Sequence, residues 1–185
     1  MSNTFIISDH HLGHQNILSF TNYDGSRVRT FENVNIMDET MIVRHNSVVG
    51  HNDKVYFVGD VCFSSTKFHE IMPQLKGEKV LIKGNHDLLK PSAYLQYFKD
   101  IRGSHLLDNM LLTHIPVHPD SIRRLNIHGH LHGNRVMKKV MKMVNGAPEW
   151  TDEIDPKYYN VCVEHHNFTP VPFETIRAYA RDHNL

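Results

Sequence analysis

No run of apolar residues in this 185-residue chain approaches the roughly 20 needed to cross a bilayer. The opening stretch MSNTFIISD has no basic segment followed by a hydrophobic one, so no signal peptide is expected and a cytoplasmic setting is the default, with no membrane partner. Cysteine is scarce. Cys62 and Cys162 stand alone and far apart, which excludes a paired-thiolate metal motif and a disulfide framework; both sit in apolar, strand-like surroundings and read as buried free thiols. Net charge is also missing: 20 basic and 20 acidic side chains cancel, so no global field draws the protein toward nucleic acid or anionic lipid. Internal repeats, low-complexity tracts and linkers rich in Pro, Gly and Ser are absent as well. Hydrophobic residues at 40% and charged residues at 22% match ordinary globular usage, and the whole of 1–185 reads as one domain.

What is abundant is histidine, with 16 residues. His45, His51, His69, His118 and His183 lie in polar or helical contexts and read as solvated. Most of the others lie at or just after a repeated pattern, in which short β-branched runs end in polar residues. TFIIS (4–8) ends at Asp9, KVYFVG (54–59) at Asp60, KVLIKG (79–84) at Asn85, NMLLT (109–113) at His114 and LNI (125–127) at His128. Continuous apolar runs of this length suit strands covered on both faces. Residues 36–49 read as a helix with Met37, Met41 and Val48 on one side and Asn35 as N-cap. Residues 67–75 read as a second helix interrupted by Pro73, and 170–184 as a terminal helix with Phe173, Ile176 and Ala180 inward. YYNVCVE (158–164) reads as a sixth strand. Residues 136–156 fit an exposed hairpin slightly better than a helix. The alternation of strands and helices predicts an α/β protein, and periodicity alone suggests a single doubly wound sheet.

Ligands of open α/β sheets collect beyond the carboxyl ends of strands. One polar strand ending is explained by turn chemistry; five together point to a shared site. Glycines before Asp60, Asn85 and His130 are expected to let the backbone turn sharply there. Asp9, His11, Asp60, Asn85, His114, His130 and His132 are seven oxygen and nitrogen donors, too many for one tetrahedral zinc and about right for two ions sharing a carboxylate. In Asp9-His10-His11 and His130-Leu131-His132, donors at i and i+2 on extended backbone would point the same way. The lack of thiolate donors favours a divalent ion bound for chemistry over a structural zinc.

The blocks SDHHLGH (8–14), GDVC (59–62), GNHD (84–87), LTHIP (112–116) and HGHLHG (128–133) resemble, in order, those of the calcineurin-like metallophosphoesterase superfamily, most closely its small bacterial and phage-type members. NVCVEHHNFTPVPFETI (160–176) resembles their usual tail. The resemblance implies an α/β four-layer α/β/β/α sandwich of two mixed sheets. It implies one metal on Asp9, His11, Asp60 and His132, and a second on Asp60, Asn85, His114 and His130, with Asp60 bridging. His128 has no place in the pattern and is expected to be structural. His86 resembles the family histidine that stabilises the transition state or protonates the leaving oxygen, with Asp87 expected to orient its ring. The implied cofactors are two divalent ions, manganese first, with iron, zinc or nickel as alternatives.

The expected activity is hydrolysis of a small phosphodiester or nucleotide by a metal-activated water. A phosphomonoesterase or nucleotide pyrophosphohydrolase is the alternative, and a metal-binding scaffold without catalysis is a third reading. His14, Arg27 and Arg29 are candidates for phosphate contact, although Arg27 and Arg29 also fit solvated positions. Arg135, Lys138, Lys139 and Lys142 could line a groove for a long nucleic acid, but a solvated hairpin edge is favoured, since no aromatic residues alternate with them to stack bases.

Overall fold

Side chains alternate within each apolar run, and the two faces lead to two different cores. Residues 2–185 are described by a computed structural model. Its first sheet holds Thr4–Ile7 (β1), Lys54–Phe57 (β2), Glu78–Ile82 (β3) and Phe98–Arg102 (β4), all parallel, with Val171–Pro172 (β11) antiparallel to β1 at the edge. Phe5, Ile7, Val55, Phe57 and Leu81 face one cluster; Ile6, Tyr56, Val58, Val80 and Ile82 face the other. Both faces are covered, which is why the runs carry no polar alternation.

The first cluster is closed by helices Val34–Val48 (α1) and Ser65–Ile71 (α2) and by Tyr94 of the short Pro91–Tyr94 (α3). The second is closed by a further sheet and by Phe173–Asp182 (α4), whose Phe173, Ile176 and Ala180 point inward as expected. That sheet is ordered β10-β7-β6-β5: His105–Leu107 (β5) is antiparallel to Met110–Thr113 (β6), and β6, Leu125–His128 (β7) and Tyr158–Asn160 (β10) are parallel. These nine strands therefore divide into two mixed sheets of an α/β protein, not the single doubly wound sheet suggested by periodicity.

Local departures have local causes. The cap of α1 is Asn33, whose side chain accepts the amide of Ile36 at 3.0 Å, and not Asn35. Val48 is exposed; His45 takes the inward position after Met37 and Met41, with its Nε2 2.9 Å from Lys76 O, so it is a buried core histidine and not a solvated one. Burial lowers its pKa to about 4. His69 is half-buried beside the Tyr97 hydroxyl. Pro73 does end α2, in a 3-10 turn at Met72–Gln74. The expected strand 158–164 stops at Asn160, because Val163–His166 winds into a 3-10 turn. Residues Met137–Val144 (β8) and Ala147–Ile154 (β9) form the exposed hairpin. Cys62 and Cys162 are buried and free. Among the described residues no helix is long and apolar enough to cross a membrane.

Candidate metal centre

Beyond the ends of β1, β2, β3, β6 and β7 the loops are stitched together by backbone hydrogen bonds. The amides of Asp9, His11 and Leu12 donate to Gly59, Asp60 and Val61 carbonyls, each at 3.0 Å, and the Gly129 amide donates to His114 O at 3.0 Å. Five of the seven expected donors then adopt left-handed backbone: Asp9 (φ 59°), His11 (52°), Asp60 (55°), His130 (70°) and His132 (48°). The extended geometry expected for the two i, i+2 pairs is therefore not what aims them. Left-handed φ is uncommon for residues with a Cβ and costs about 1–3 kcal/mol each, and such strain collects at functional sites. Of the three glycines expected to turn sharply, only Gly59 has positive φ (89°). Gly84 and Gly129 are small for another reason: a Cβ there would collide with Asp60 Oδ1 and Asp9 Oδ2.

The two carboxylates are each anchored through one oxygen and turn the other toward the imidazoles. Asp9 Oδ2 accepts the His130 amide at 2.9 Å and the Cys162 thiol at 3.2 Å, while its buried Oδ1 has no hydrogen-bond partner. Asp60 Oδ1 accepts the His86 amide at 2.8 Å, and its Oδ2 lies 3.3 Å from His114 Nε2 and 3.7 Å from His11 Nε2. His11 Nε2 is also 3.7 Å from Asp9 Oδ1. Separations of 3.7 Å are too long for hydrogen bonds, yet they suit two donors sharing one ion at about 2.1 Å. Neither ring nitrogen of the buried His11 is hydrogen-bonded. These orphaned atoms fit a cation. Two groups of donors meet the spacing for one ion each: Asp9, His11 and His132, and Asp9, Asp60 and His114. Asn85 adjoins the second, with its Oδ1 2.8 Å from His114 Nε2 and 3.1 Å from His130 Nδ1. All seven expected donors are thus brought together, but the carboxylate common to both groups is Asp9, where Asp60 was expected to bridge.

Electrostatics follow from this crowding. Burial opposes the charge on Asp9, but the nearby imidazoles of His11, His114 and His132 hold its carboxyl well below the usual range. Burial lowers His114 too, and the Asp60 and Asp9 carboxylates outweigh it, raising the imidazole to about 9. Burial of His132 is likewise outweighed by Glu164, and its pKa rises. His11 and His130 are lowered, chiefly by burial. Without a cation, a proton on His114 balances part of the carboxylate charge.

The chain behind these donors was not foreseen from sequence. His132 Nδ1–H donates to Glu164 Oε1 at 3.0 Å, and the same oxygen accepts Arg29 Nε at 2.8 Å. Arg29 also donates to His10 O at 2.7 Å and to Asp9 O. Arg29 is 1% exposed, so it is neither a phosphate contact nor solvated; it ties the Asp9–His10 loop to Glu164. His114 Nδ1–H donates to Val58 O at 2.9 Å. Glu164 lies in the tail block, but nothing in its spacing marks it as a partner of His132.

Asp87 also differs from expectation. It is buried and its oxygens accept the amides of Asp60 (2.9 Å), Val61 (3.0 Å) and Gly84 (2.8 Å), so it braces the Asp60 loop and does not orient His86. His128 is buried, its Nδ1 2.8 Å from Gly129 O, and burial lowers it to about 4, as suits a structural histidine. Over the donors opens a cleft of about 320 Å³ lined by His11, His14, Asp60, His86, His130 and His132, with Phe20 and Phe63 as walls. The His14 ring stacks on Phe63 at 4.2 Å, and His86 stands 4.7 Å from it. Arg27 is exposed and, like Arg29, does not line the cleft.

No family model matches the chain. A protein of Methanocaldococcus jannaschii described as uncharacterized protein MJ1445 is 34% identical over 186 residues, spanning 95% of this chain and 90% of that one. The gene 66 protein of Mycobacterium phage L5 is 28% identical over 178 residues, 75% of this chain and 82% of its own. Among solved structures, a protein of unknown function from Aquifex aeolicus, AQ665, aligns with a TM-score of 0.69 at 23% identity, covering 96% of this chain and 99% of that one; at that identity the likeness is one of fold. The extent and identity of the archaeal match establish that the chain belongs to the same family as MJ1445.

Proposed function

We propose that the chain is a dinuclear metal-dependent phosphoesterase of the calcineurin-like type, built on its four-layer α/β/β/α sandwich, and that it hydrolyses a small phosphodiester. The observation that carries this reading is the cluster of orphaned buried donors: Asp9 Oδ1 and both ring nitrogens of His11 have no hydrogen-bond partner, beside the ion pair of Asp60 Oδ2 with His114. One ion falls to Asp9, His11, Asp60 and His132, the other to Asp60, Asn85, His114 and His130. Bound there, divalent ions supply charge neutralisation of the phosphate and a water of lowered pKa. All donors are oxygen or nitrogen, consistent with manganese, and equally with iron, zinc or nickel. Cys162 is no ligand, because burial raises its thiol pKa well above the ordinary value and it donates to Asp9.

The chain's own groups do the rest. The Val58 carbonyl and Glu164 fix the ring orientations of His114 and His132, which commonly governs metal affinity. We assign His86 the protonation or stabilisation of the leaving oxygen: it is exposed at the cleft mouth while its amide is anchored to Asp60. The cleft lining contains histidines, phenylalanines and Asp60 but neither Lys nor Arg. A diester, with one negative charge, suits that lining better than a monoester or pyrophosphate with two or more. Phe20 and Phe63 would flank its uncharged arm.

The test is hydrolysis of matched aryl phosphodiester and monoester substrates by metal-stripped protein, before and after Mn²⁺ is added, with bound metal counted in parallel. Two ions per chain and metal-restored diester cleavage are expected. Faster monoester cleavage would shift the substrate class, and failure to bind metal would overturn the site.

A further inference from the structure

Among the described residues, no element covers the apolar face of the β8–β9 hairpin. In the antiparallel register Met137 lies opposite Ile154, Met141 opposite Trp150 and Met143 opposite Pro148, and opposed residues share a face. Met137 (49%), Met141 (51%), Met143 (70%), Trp150 (65%) and Ile154 (55%) are all exposed. A two-stranded hairpin alone is marginally stable in water, and these five side chains expose roughly 600 Å², the upper end of what a monomer leaves open.

Charge identifies the occupant. Lys138, Lys139 and Lys142 are the charged residues of β8, and Glu149, Asp152 and Glu153 those of β9. Each lysine lies directly opposite an acid: Lys138 with Glu153, Lys139 with Asp152, Lys142 with Glu149. The hairpin is therefore neutral, with nothing to attract nucleic acid or anionic lipid. Yet one strand is basic and the other acidic. A two-fold axis running along the hairpin lays β8 of one copy over β9 of the other, which matches apolar rows and brings Lys139 of each copy to the level of Asp152 of the other. We infer that this face is where two copies of the chain associate, face to face, with β8 over β9. About 1,200 Å² would be buried in total, the lower bound of a specific interface and the class of micromolar dimers. The inference is independent of any catalytic reading.

Trp150 is the sole tryptophan, so its fluorescence reports on this face alone. Sedimentation of the full chain across concentrations around about 1–10 µM is expected to show monomer passing to dimer, with Trp150 emission moving to the blue and losing access to acrylamide in step. Met141→Lys is expected to weaken association at least a hundredfold while circular dichroism stays unchanged. Lys139→Glu and Asp152→Lys are each expected to weaken it at least tenfold, and mixing those two variants should restore the dimer, because unlike charges then meet across the interface. A monomer with Trp150 accessible throughout would overturn the inference. So would a dimer insensitive to Met141→Lys, or a Trp150 shift that occurs only on adding phosphatidylcholine vesicles. Failure of the mixture to associate would overturn the arrangement of β8 over β9.

Discussion

The two halves of the candidate centre are built differently. Around His11 and His132 the donors rest on a buried chain of side chains, in which His132 bonds Glu164, Glu164 pairs with Arg29, and Arg29 holds the Asp9 and His10 carbonyls. Around His114, Asn85 and His130 no buried ionic chain stands behind the donors: the Val58 carbonyl holds His114, the Asp9 carboxylate takes the His130 amide, and Asn85 is exposed to solvent. A donor set embedded in an ionic core is held in shape before any ion arrives. One on an open loop is completed by the ion. The first half should therefore bind metal more tightly, and a metal titration should show two unequal affinities.

That contrast can be broken outright or sharpened by degrees. Asp60→Asn removes the charge both halves share, and should lower turnover roughly 10⁴-fold or more and abolish two-ion binding in a metal-content assay. His86→Ala touches neither set of donors; it should reduce the rate about 10²–10⁴-fold while both affinities measured by titration calorimetry stay put. Arg29→Met strips the buried buttress and leaves Glu164 uncompensated, so urea unfolding of the metal-free protein should show a loss of about 3–5 kcal/mol. Glu164→Gln keeps the shape but weakens the hold on His132, and should cost the tighter site about 10–100-fold in affinity, narrowing the gap between the two. The mildest lever is pH. His114 is raised to about 9, so below that value a proton competes for the nitrogen a cation needs; affinity at the open half should rise by up to about tenfold per pH unit as pH climbs toward 9. The same shift has the opposite sign for folding of the metal-free chain: the stabilisation is complete below the unfolded value near 6.5 and is lost as pH rises through about 9.

Strands β1, β2, β3, β6 and β7, the three main helices and the convergence of the seven polar side chains were legible because each rests on a local cue: a continuous apolar run, helical spacing, a polar residue at a strand end. Short or mixed elements escaped. FKDIR in β4 and HLL in β5 carry no run long enough to stand out. The division into two sheets depends on which strands pair, and residues such as Leu125 and Val80 share a core without any mark in the sequence. The buttress escaped for the same reason. Arg29 and Glu164 are 135 residues apart, and a buried ion pair looks in sequence like two ordinary surface charges. Asp87 misled because it adjoins His86, whereas burial commits its oxygens to three amides.

The left-handed backbone at Asp9, His11, Asp60, His130 and His132 has a bearing on descent. At each of these positions glycine, and to a lesser degree asparagine, would fit the chain more comfortably than the residue present. A lineage released from metal chemistry would thus be drawn, position by position, toward glycine, gaining stability as it lost donors. Retained aspartate and histidine at these five places would mark working relatives, and glycine replacing them would date the loss of function from sequence alone.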